Sequence, residues 1–122
     1  MLIKHLDDCK PIPAGDRAVL KEILHPKNDK VNLGFSFSYA KVLPGETSMP
    51  HVLEQTEVYY ILKGTGRMTI GIESEDVKEK DAIYIPPQMN QYIRNTSEKE
   101  TLEFLCIVCP EWSAGKEKII PW

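Results

Sequence analysis

A histidine and a glutamate that lie six residues apart, His51 and Glu57, are the side chains of this sequence best suited to chemistry. They stand between a Pro-Gly turn at residues 44–45 and a β-forming run at residues 58–62. A neutral imidazole and a carboxylate are both common metal ligands, and each can also transfer a proton. Their position at the mouth of one strand indicates that both point into a shared cavity.

The elements that must position this pair are short strands. Residues 35–40 alternate aromatic side chains with small ones, a period of two that is typical of a strand. We expect the aromatic face, formed by Phe35, Phe37 and Tyr39, to be buried. The small face, which carries two serines, is expected to be exposed or to line a cavity.

The rest of the chain indicates further short strands separated by Gly, Pro, Asn or Asp, and no long amphipathic helix. Residues 17–24 favour a strand over a helix, because Pro26 follows at once. Clear strands are predicted at residues 67–72, 74–80, 81–85, 91–94 and 101–108. About nine or ten such strands in one chain predict an all-β barrel or sandwich.

A chain of 122 residues with a net charge of -3 predicts a single domain with an ordinary hydrophobic core. The mild charge indicates no basic surface for nucleic acid and no cationic face for a membrane. Residues 1–10 show neither the apolar run nor the cleavage site of a signal peptide. We therefore expect a cytoplasmic protein that binds neither nucleic acid nor membrane.

The three cysteines predict no disulfide framework, because their number is odd. Cys106 and Cys109 form a CxxC inside the predicted last strand, where odd spacing sends their sulfurs to opposite faces. Redox pairing and shared metal ligation are therefore both disfavoured. Alternation leaves open which face is interior. A Cys106 thiol inside the barrel would be a ligand or redox centre near His51, or a small buried hydrophobe, which is the commoner role.

Strand alternation also orients the neighbours of Glu57. If Glu57 points inward, Tyr59 and Ile61 point inward too, whereas Tyr60 and Leu62 point outward. The phenol of Tyr59 could then reach a bound ligand, although packing is the commoner role of a tyrosine in a small barrel.

Two other regions are expected to lie away from this pair. His25 stands beside Pro26 and near Asn28 and Asp29, which predicts a solvated turn residue rather than a ligand. The C-terminal segment, residues 111–122, is expected to cover a barrel end or to dock on a neighbouring subunit.

Two segments of the sequence resemble the paired motifs of the cupins, which are double-stranded β-helix (jelly-roll) barrels. In the first segment, residues 45–64, four motif positions match in register: Gly45, His51, Glu57 and Gly64. In the second segment, residues 80–95, two positions match: Pro86 and Asn95. The resemblance implies one cupin domain over residues 1–122. It also implies a homodimer, since small cupins commonly pair through barrel faces and exchanged terminal strands, and both chain ends are apolar: Leu2, Ile3, Ile119, Ile120 and Trp122.

Four motif positions depart from the family pattern. Leu53 stands where the first motif has its second histidine, and Gln91 replaces the histidine of the second motif. Lys80 and Gln88 replace two glycines. The resemblance implies an interior metal, which typical members hold with three histidines and one glutamate. In this chain the implied ligands are His51, Glu57 and Gln91, with Gln55 as a further oxygen donor.

One nitrogen and several oxygen donors suit zinc, manganese or ferrous iron better than copper. The sequence contains no glycine-rich phosphate loop or other motif for an organic cofactor.

Three functions are consistent with these residues. The first is a barrel that binds a divalent metal in its interior and acts as an isomerase, lyase or dioxygenase on a small oxygenated compound. Its candidate catalytic side chains are Glu57, His51 and Tyr59. The alternative is a metal-free protein that binds a sugar-like or carboxylate ligand without catalysis. The third is a partner protein whose cavity is vestigial. Fold alone does not decide among them.

Overall fold

Two antiparallel sheets contain almost all of the regular structure. The computed structural model describes residues 1–13 and 18–120, without the side chain of Pro13. The expected strand start at Arg17 and the apolar Trp122 at the C-terminus lie outside the described residues.

The elements of the described residues follow one another in this order: β1 (Pro11–Pro13), β2 (Val19–Leu24), α1 (Pro26–Asp29), β3 (Ser36–Val42), β4 (His51–Leu53), β5 (Thr56–Lys63), β6 (Thr65–Ile70), β7 (Glu73–Lys78), β8 (Ala82–Ile85), β9 (Asn90–Asn95), β10 (Leu102–Cys109) and β11 (Glu117–Ile119). Short 3₁₀ turns lie at Leu6–Asp8 and Ala114–Lys116. Every strand predicted from the sequence is present with shifted ends.

The two sheets form the halves of a jelly-roll barrel. One sheet has the strand order β1-β2-β3-β10-β5-β8, and the other has the order β11-β4-β9-β6-β7. All neighbouring strands pair antiparallel. The all-β jelly roll expected from the sequence is therefore confirmed. The described residues contain no helix with the length and apolar character needed to cross a bilayer.

Alternation along β5 separates the interior from the outer surface. Tyr59 and Ile61 are 5% and 0% exposed, whereas Tyr60 and Leu62 are 41% and 43% exposed. The inward and outward faces predicted for this strand are confirmed. The ring of Tyr59 packs against that of Phe104, with centroids 4.5 Å apart.

The last long strand, β10, places its even-numbered residues inside. Leu102, Phe104, Cys106 and Val108 are buried, whereas Cys109 is exposed. The sulfurs of the CxxC thus lie on opposite faces, as predicted, and the interior face is the one that carries Cys106. The core between the sheets is apolar and dominated by large side chains: Val42, Ile61, Met68, Ile83, Ile85, Ile93, Leu102 and Phe104.

Strand β3 confirms one of the two alternatives expected for its small face and corrects the expectation for its aromatic face. Its small residues face the interior, in register with the buried side chains of β10, and line a cavity. Phe37 and Tyr39 lie on the outer face of the sheet; Tyr39 is buried, whereas Phe37, like Phe35 just before the strand, is only half-buried. The aromatic face was expected to be buried because apolar side chains usually are, and of its three residues only Tyr39 is buried. Here the barrel keeps space for the cavity instead.

Two motif positions that have lost their glycines keep a glycine-like backbone. Lys80 has φ 74 and Gln88 has φ 67, in the left-handed region that favours glycine. Their amides hold these turns against the barrel, since Lys80 N–H donates to Ile61 O and Gln88 N–H to Leu53 O, each at 2.8 Å. Hydrogen bonds therefore maintain a turn geometry that the residue type disfavours.

The side chain of Asn95 at the end of β9 makes three hydrogen bonds that link separate parts of the barrel. Its Nδ2 donates to the carbonyl oxygens of Val42 at 3.0 Å and Glu100 at 2.7 Å. Its Oδ1 accepts from the amide of Ser97 at 2.9 Å. The side chain is buried, so this motif residue joins β9, β3 and the following loop and has a structural role.

We predict that Gln88→Gly stabilises the fold. Relief of a left-handed backbone is worth about 1–2 kcal/mol, and the extra freedom of glycine in the unfolded chain costs about 0.5–1 kcal/mol. The net gain of up to about 1.5 kcal/mol should appear as a higher Tm. Glu75→Gly, on an exposed extended strand, is the control and should lower the Tm. A lower Tm for Gln88→Gly would contradict the prediction.

We predict that Asn95→Ala destabilises the protein by about 3 kcal/mol, because each buried group left without a partner costs about 1–3 kcal/mol. Urea unfolding measures the loss. Asn90→Ala, an exposed asparagine of the same strand, should change stability by no more than about 0.5 kcal/mol. Equal stability of the two variants would argue against the structural role of Asn95.

Candidate functional site

The interior of the barrel brings His51 and Glu57 together. His51 is the first residue of β4 in one sheet, and Glu57 lies on β5 in the other. Both side chains are buried, and His51 Nε2 lies 3.9 Å from Glu57 Oε1. The two sheets therefore contribute one side chain each to a common site.

The backbone orients the imidazole of His51. Its Nδ1 lies 3.3 Å from the carbonyl oxygen of Met49, within reach for the Nδ1–H to donate. In that tautomer Nε2 carries a lone pair and faces the carboxylates. A histidine that binds metal commonly donates its second ring N–H to a backbone carbonyl in this way.

Glu57 has a buried oxygen that lacks a hydrogen-bond partner. Among the described residues, no donor lies within hydrogen-bond distance of its Oε1. A buried carboxylate oxygen without a donor is costly, so such groups pair with a cation or accept a hydrogen bond. The position of Glu57 Oε1 thus marks where a cation or the donor of a bound compound fits.

A second carboxylate, which the sequence did not predict, lies near the same nitrogen. Glu117 Oε2 is 3.9 Å from His51 Nε2. Glu117 begins β11, which pairs with β4 in the register Glu117↔Leu53. The sequence indicated that this segment covers a barrel end, but it contained no signal for the pairing partner of a three-residue strand.

The two glutamines expected as oxygen donors lie outside the cavity lining; the Gln91 oxygen has a partner, whereas the buried Gln55 Oε1 has none among the described residues. Gln91 is buried opposite His51 on β9, and its Oε1 accepts from the Tyr59 hydroxyl at 3.3 Å. Gln55 Nε2 donates to the carbonyl oxygen of Glu111 at 3.1 Å. Neither glutamine lines the cavity. Tyr59 does line it, and so connects Gln91 to the site indirectly.

The cavity beside His51 and Glu57 has a volume of about 240 Å³. One part of its wall is apolar and includes Leu20, Phe104 and Val108, while the remainder carries several polar side chains. These polar side chains are Glu22, His25, Ser36, Ser38, Ser48, His51, Glu57, Tyr59, Cys106 and Glu117. Such a mixture suits a small compound with a few oxygens better than a purely apolar ligand.

His25 corrects a second expectation, because it is buried rather than solvated. It caps α1, where its Nδ1 accepts from the amide of Lys27, and its Nε2 lies 2.8 Å from the carbonyl oxygen of Trp112. Its own amide donates to Asp29. The sequence showed the adjacent turn but not the C-terminal segment that covers the ring. Both ring nitrogens have structural partners.

Charged groups at the edges of the molecule form separate pairs. A hydrogen bond from Lys4, 2.8 Å away, lowers the pKa of Asp29, which contacts the amide of His25. On the outer face of the six-stranded sheet, burial and a hydrogen bond to Glu103 raise the pKa of Tyr39. Tyr39 therefore stays protonated at neutral pH and has no part in the interior site.

The donors fit a divalent cation by type but are spaced too widely for one as they stand. Among residues 1–13 and 18–120, no group of three or more His, Cys, Asp or Glu side chains is close enough to hold a metal ion. Ligands of a tetrahedral ion at about 2.0–2.2 Å lie roughly 3.3–3.5 Å apart. The 3.9 Å distances from His51 to Glu57 and Glu117 exceed this by roughly half an ångström.

Comparisons with known proteins agree with the barrel. A family model described as a cupin domain matches residues 38–108. An uncharacterized protein of Methanocaldococcus jannaschii is 35% identical over 115 residues, which cover 93% of this chain and 90% of that protein.

Two solved structures share the fold at low sequence identity. A predicted oxalate decarboxylase from Thermotoga maritima has a TM-score of 0.77 at 21% identity, covering 89% of this chain and 99% of that one. The Streptomyces protein PAC13, solved with uridine, has a TM-score of 0.80 at 13% identity, covering 100% of this chain and 92% of that one.

We predict that Cys106 reacts much more slowly than Cys109 with a water-soluble thiol reagent, because Cys106 lies inside the barrel. Two variants isolate the thiols: Cys9→Ser/Cys109→Ser retains Cys106, and Cys9→Ser/Cys106→Ser retains Cys109. A compound that fills the cavity should slow Cys106 further and leave Cys109 unchanged. Equal rates for the two variants would mean that the cavity is open to the reagent.

Proposed function

Since the chain belongs to the cupin domain family, we propose that its barrel interior binds a divalent metal ion at His51 and Glu57. We further propose that a small oxygenated compound occupies the cavity beside these residues. The single observation that best supports the proposal is the buried Glu57 Oε1, which has no hydrogen-bond donor and lies 3.9 Å from His51 Nε2.

The charges around His51 support a cation at this place. Glu57 and Glu117 are both 3.9 Å from its Nε2, and both line the cavity. Of the two, Glu57 is withdrawn from water and its buried Oε1 needs a compensating positive charge or donor. A neutral imidazole with two carboxylates is a donor set that zinc, manganese or ferrous iron accepts.

The cavity supports a small ligand. Its volume of about 240 Å³ lies below the range of about 300–1,000 Å³ that is usual for drug-sized compounds. Serine hydroxyls on one wall offer hydrogen bonds, and the Phe104 ring offers an apolar surface. The PAC13 structure, which was solved with uridine, is consistent with a cupin barrel that accepts a polar organic molecule.

The residues favour proton transfer as the reaction. A divalent ion held by His51 and Glu57 would polarise an oxygen of the ligand and make a neighbouring proton more acidic. With Oε1 facing the ion, the second carboxylate oxygen of Glu57 is the proton acceptor in this proposal. Tyr59, held by Gln91, presents its phenol to the cavity and can orient the ligand. This arrangement supports an isomerase or lyase.

A metal-free binding protein is the second function that an observation favours. Leu53 offers no donor, the Gln91 oxygen accepts from Tyr59, and the described donors stand wider apart than ligands of a bound ion. In this case the Glu57 oxygen would accept a hydrogen bond from the organic ligand. The cavity would then bind a sugar-like or carboxylate compound without catalysis.

We predict that protein purified without a chelating tag binds Mn²⁺ or Zn²⁺ near one equivalent, measured by elemental analysis and calorimetry. His51→Ala and Glu57→Gln should each weaken binding by about tenfold or more, since loss of outer-shell partners alone costs about 10–100-fold. His5→Ala, an exposed histidine, is the matched control and should bind as the natural sequence does.

Absence of metal binding in the natural sequence would overturn the metal site. A rise in Tm with small carboxylates or sugars in the presence of a chelator would then support the metal-free function. The same ligand should stabilise Glu57→Gln less than the natural sequence, because Glu57 would be its hydrogen-bond acceptor.

A further inference from the structure

We propose that the compound bound in the cavity is uncharged, that its oxygen atoms accept hydrogen bonds from the buried hydroxyls of Ser36 and Ser48, and that its apolar carbon frame packs near Phe104. This inference rests on the ligand cavity of the proposed function and does not depend on the metal ion. It names the chemical class of the compound and two residues that select it.

The hydroxyls of Ser36 and Ser48 are held as hydrogen-bond donors. Both serines are 3% exposed and line the cavity. Ser36 Oγ accepts from the Trp112 amide at 2.9 Å, and Ser48 Oγ accepts from the Ile93 amide at 3.0 Å. Each hydroxyl still has one proton to donate, and no described residue accepts it. Because a buried donor without an acceptor is costly, an acceptor atom of a bound compound fits beside each serine.

The two serines belong to different walls of the cavity. Ser36 is the first residue of β3 in the six-stranded sheet. Ser48 lies before β4, and its amide donates to the Ile93 carbonyl at 3.0 Å, which fastens it to β9 in the other sheet. A compound between the sheets therefore meets a hydroxyl donor on either side.

The charged groups of the cavity disfavour an anionic compound. Glu22, Glu57 and Glu117 line it, and within residues 1–13 and 18–120 no lysine or arginine does. Glu57 is 6% exposed and has no donor at its Oε1. A carboxylate ligand would add a second negative charge beside it, at a large desolvation cost. The hydroxyl of an uncharged compound can instead donate to Glu57. An ammonium group could do the same, but it has no lone pair to accept from the serines.

The inner face of the six-stranded sheet changes from polar to apolar along the barrel, which sets the direction of the compound. Residues that oppose one another on β3, β10 and β5 form three rows: Ser36–Val108–Glu57, Ser38–Cys106–Tyr59 and Ala40–Phe104–Ile61. The first row carries two oxygen-bearing side chains and the third carries none. The oxygens of the compound therefore lie towards the first row, and its carbon frame lies towards the third.

The test is calorimetry at neutral pH, with a chelator present, of three compounds that share one ring: 4-hydroxybenzyl alcohol, 4-hydroxybenzoate and 4-hydroxybenzylamine. The uncharged alcohol should bind most tightly of the three. The carboxylate should bind about tenfold more weakly or worse, because its charge is buried beside Glu57. Glu57→Gln should narrow the gap between the alcohol and the carboxylate, since it removes a buried negative charge.

Serine variants test the two donors. Ser36→Ala and Ser48→Ala should each weaken binding of the alcohol by about three- to tenfold, the worth of one neutral hydrogen bond. Ser97→Ala is the matched control, because Ser97 Oγ also accepts from backbone amides, those of Lys99 and Glu100, but does not line the cavity. It should lower the Tm and leave the affinity within about twofold.

Two analogues separate a lost contact from a disturbed cavity. Benzyl alcohol lacks the phenol oxygen, and 4-methylphenol lacks the alcohol oxygen. The analogue that lacks the oxygen contacted by a given serine should bind the alanine variant and the natural sequence equally. Equal weakening of both analogues would mean that the substitution distorts the cavity, and would overturn the role of that serine as a donor to the compound.

Tightest binding by 4-hydroxybenzoate would overturn the inference and leave the proposed function intact, because an oxygenated compound would still occupy the cavity. Tightest binding by 4-hydroxybenzylamine would also overturn it and would indicate an organic cation at Glu57. Absence of binding by all three compounds would overturn it as well. Binding of Mn²⁺ or Zn²⁺ at His51 and Glu57 is measured separately, so the metal site stands or falls independently of these results.

Discussion

The buried imidazole of His51, 3.9 Å from two carboxylates, is the constraint around which the interior of this barrel is arranged. Negative charge inside a protein is stable only when a positive charge or hydrogen-bond donors compensate it. The Met49 carbonyl oxygen lies beside Nδ1 of the ring, so Nε2 on the opposite side faces Glu57 and Glu117. Small side chains on β3 keep space next to this group, whereas large ones fill the rest of the barrel.

The short-range pattern of the sequence was sufficient to predict most of the fold. Alternation predicted the inward face of β5 and the opposite faces of Cys106 and Cys109, because strand geometry has a period of two. For β3 it was right in part: the small face lines the cavity, but the aromatic face lies outside and only Tyr39 of it is buried. Alternation shows that two faces differ, but the rest of the barrel decides which of them is interior.

The site was less predictable because half of it comes from distant parts of the chain. His51 and Glu57 are close in sequence and could be found from spacing. Glu117 is 60 residues from Glu57, and its place depends on the pairing of a three-residue strand. His25 was misassigned for the same reason, since the segment that covers it begins at Trp112, far along the chain. Contacts of this kind have no local pattern.

Strand β11 lies at the edge of its sheet and pairs with β4 through only three residues. Short edge segments open locally at a free-energy cost well below that of global unfolding. Glu117, which lines the cavity, therefore belongs to a short edge element of the second sheet. Exchange of the cavity's contents with solvent can follow this local opening while the rest of the barrel stays folded.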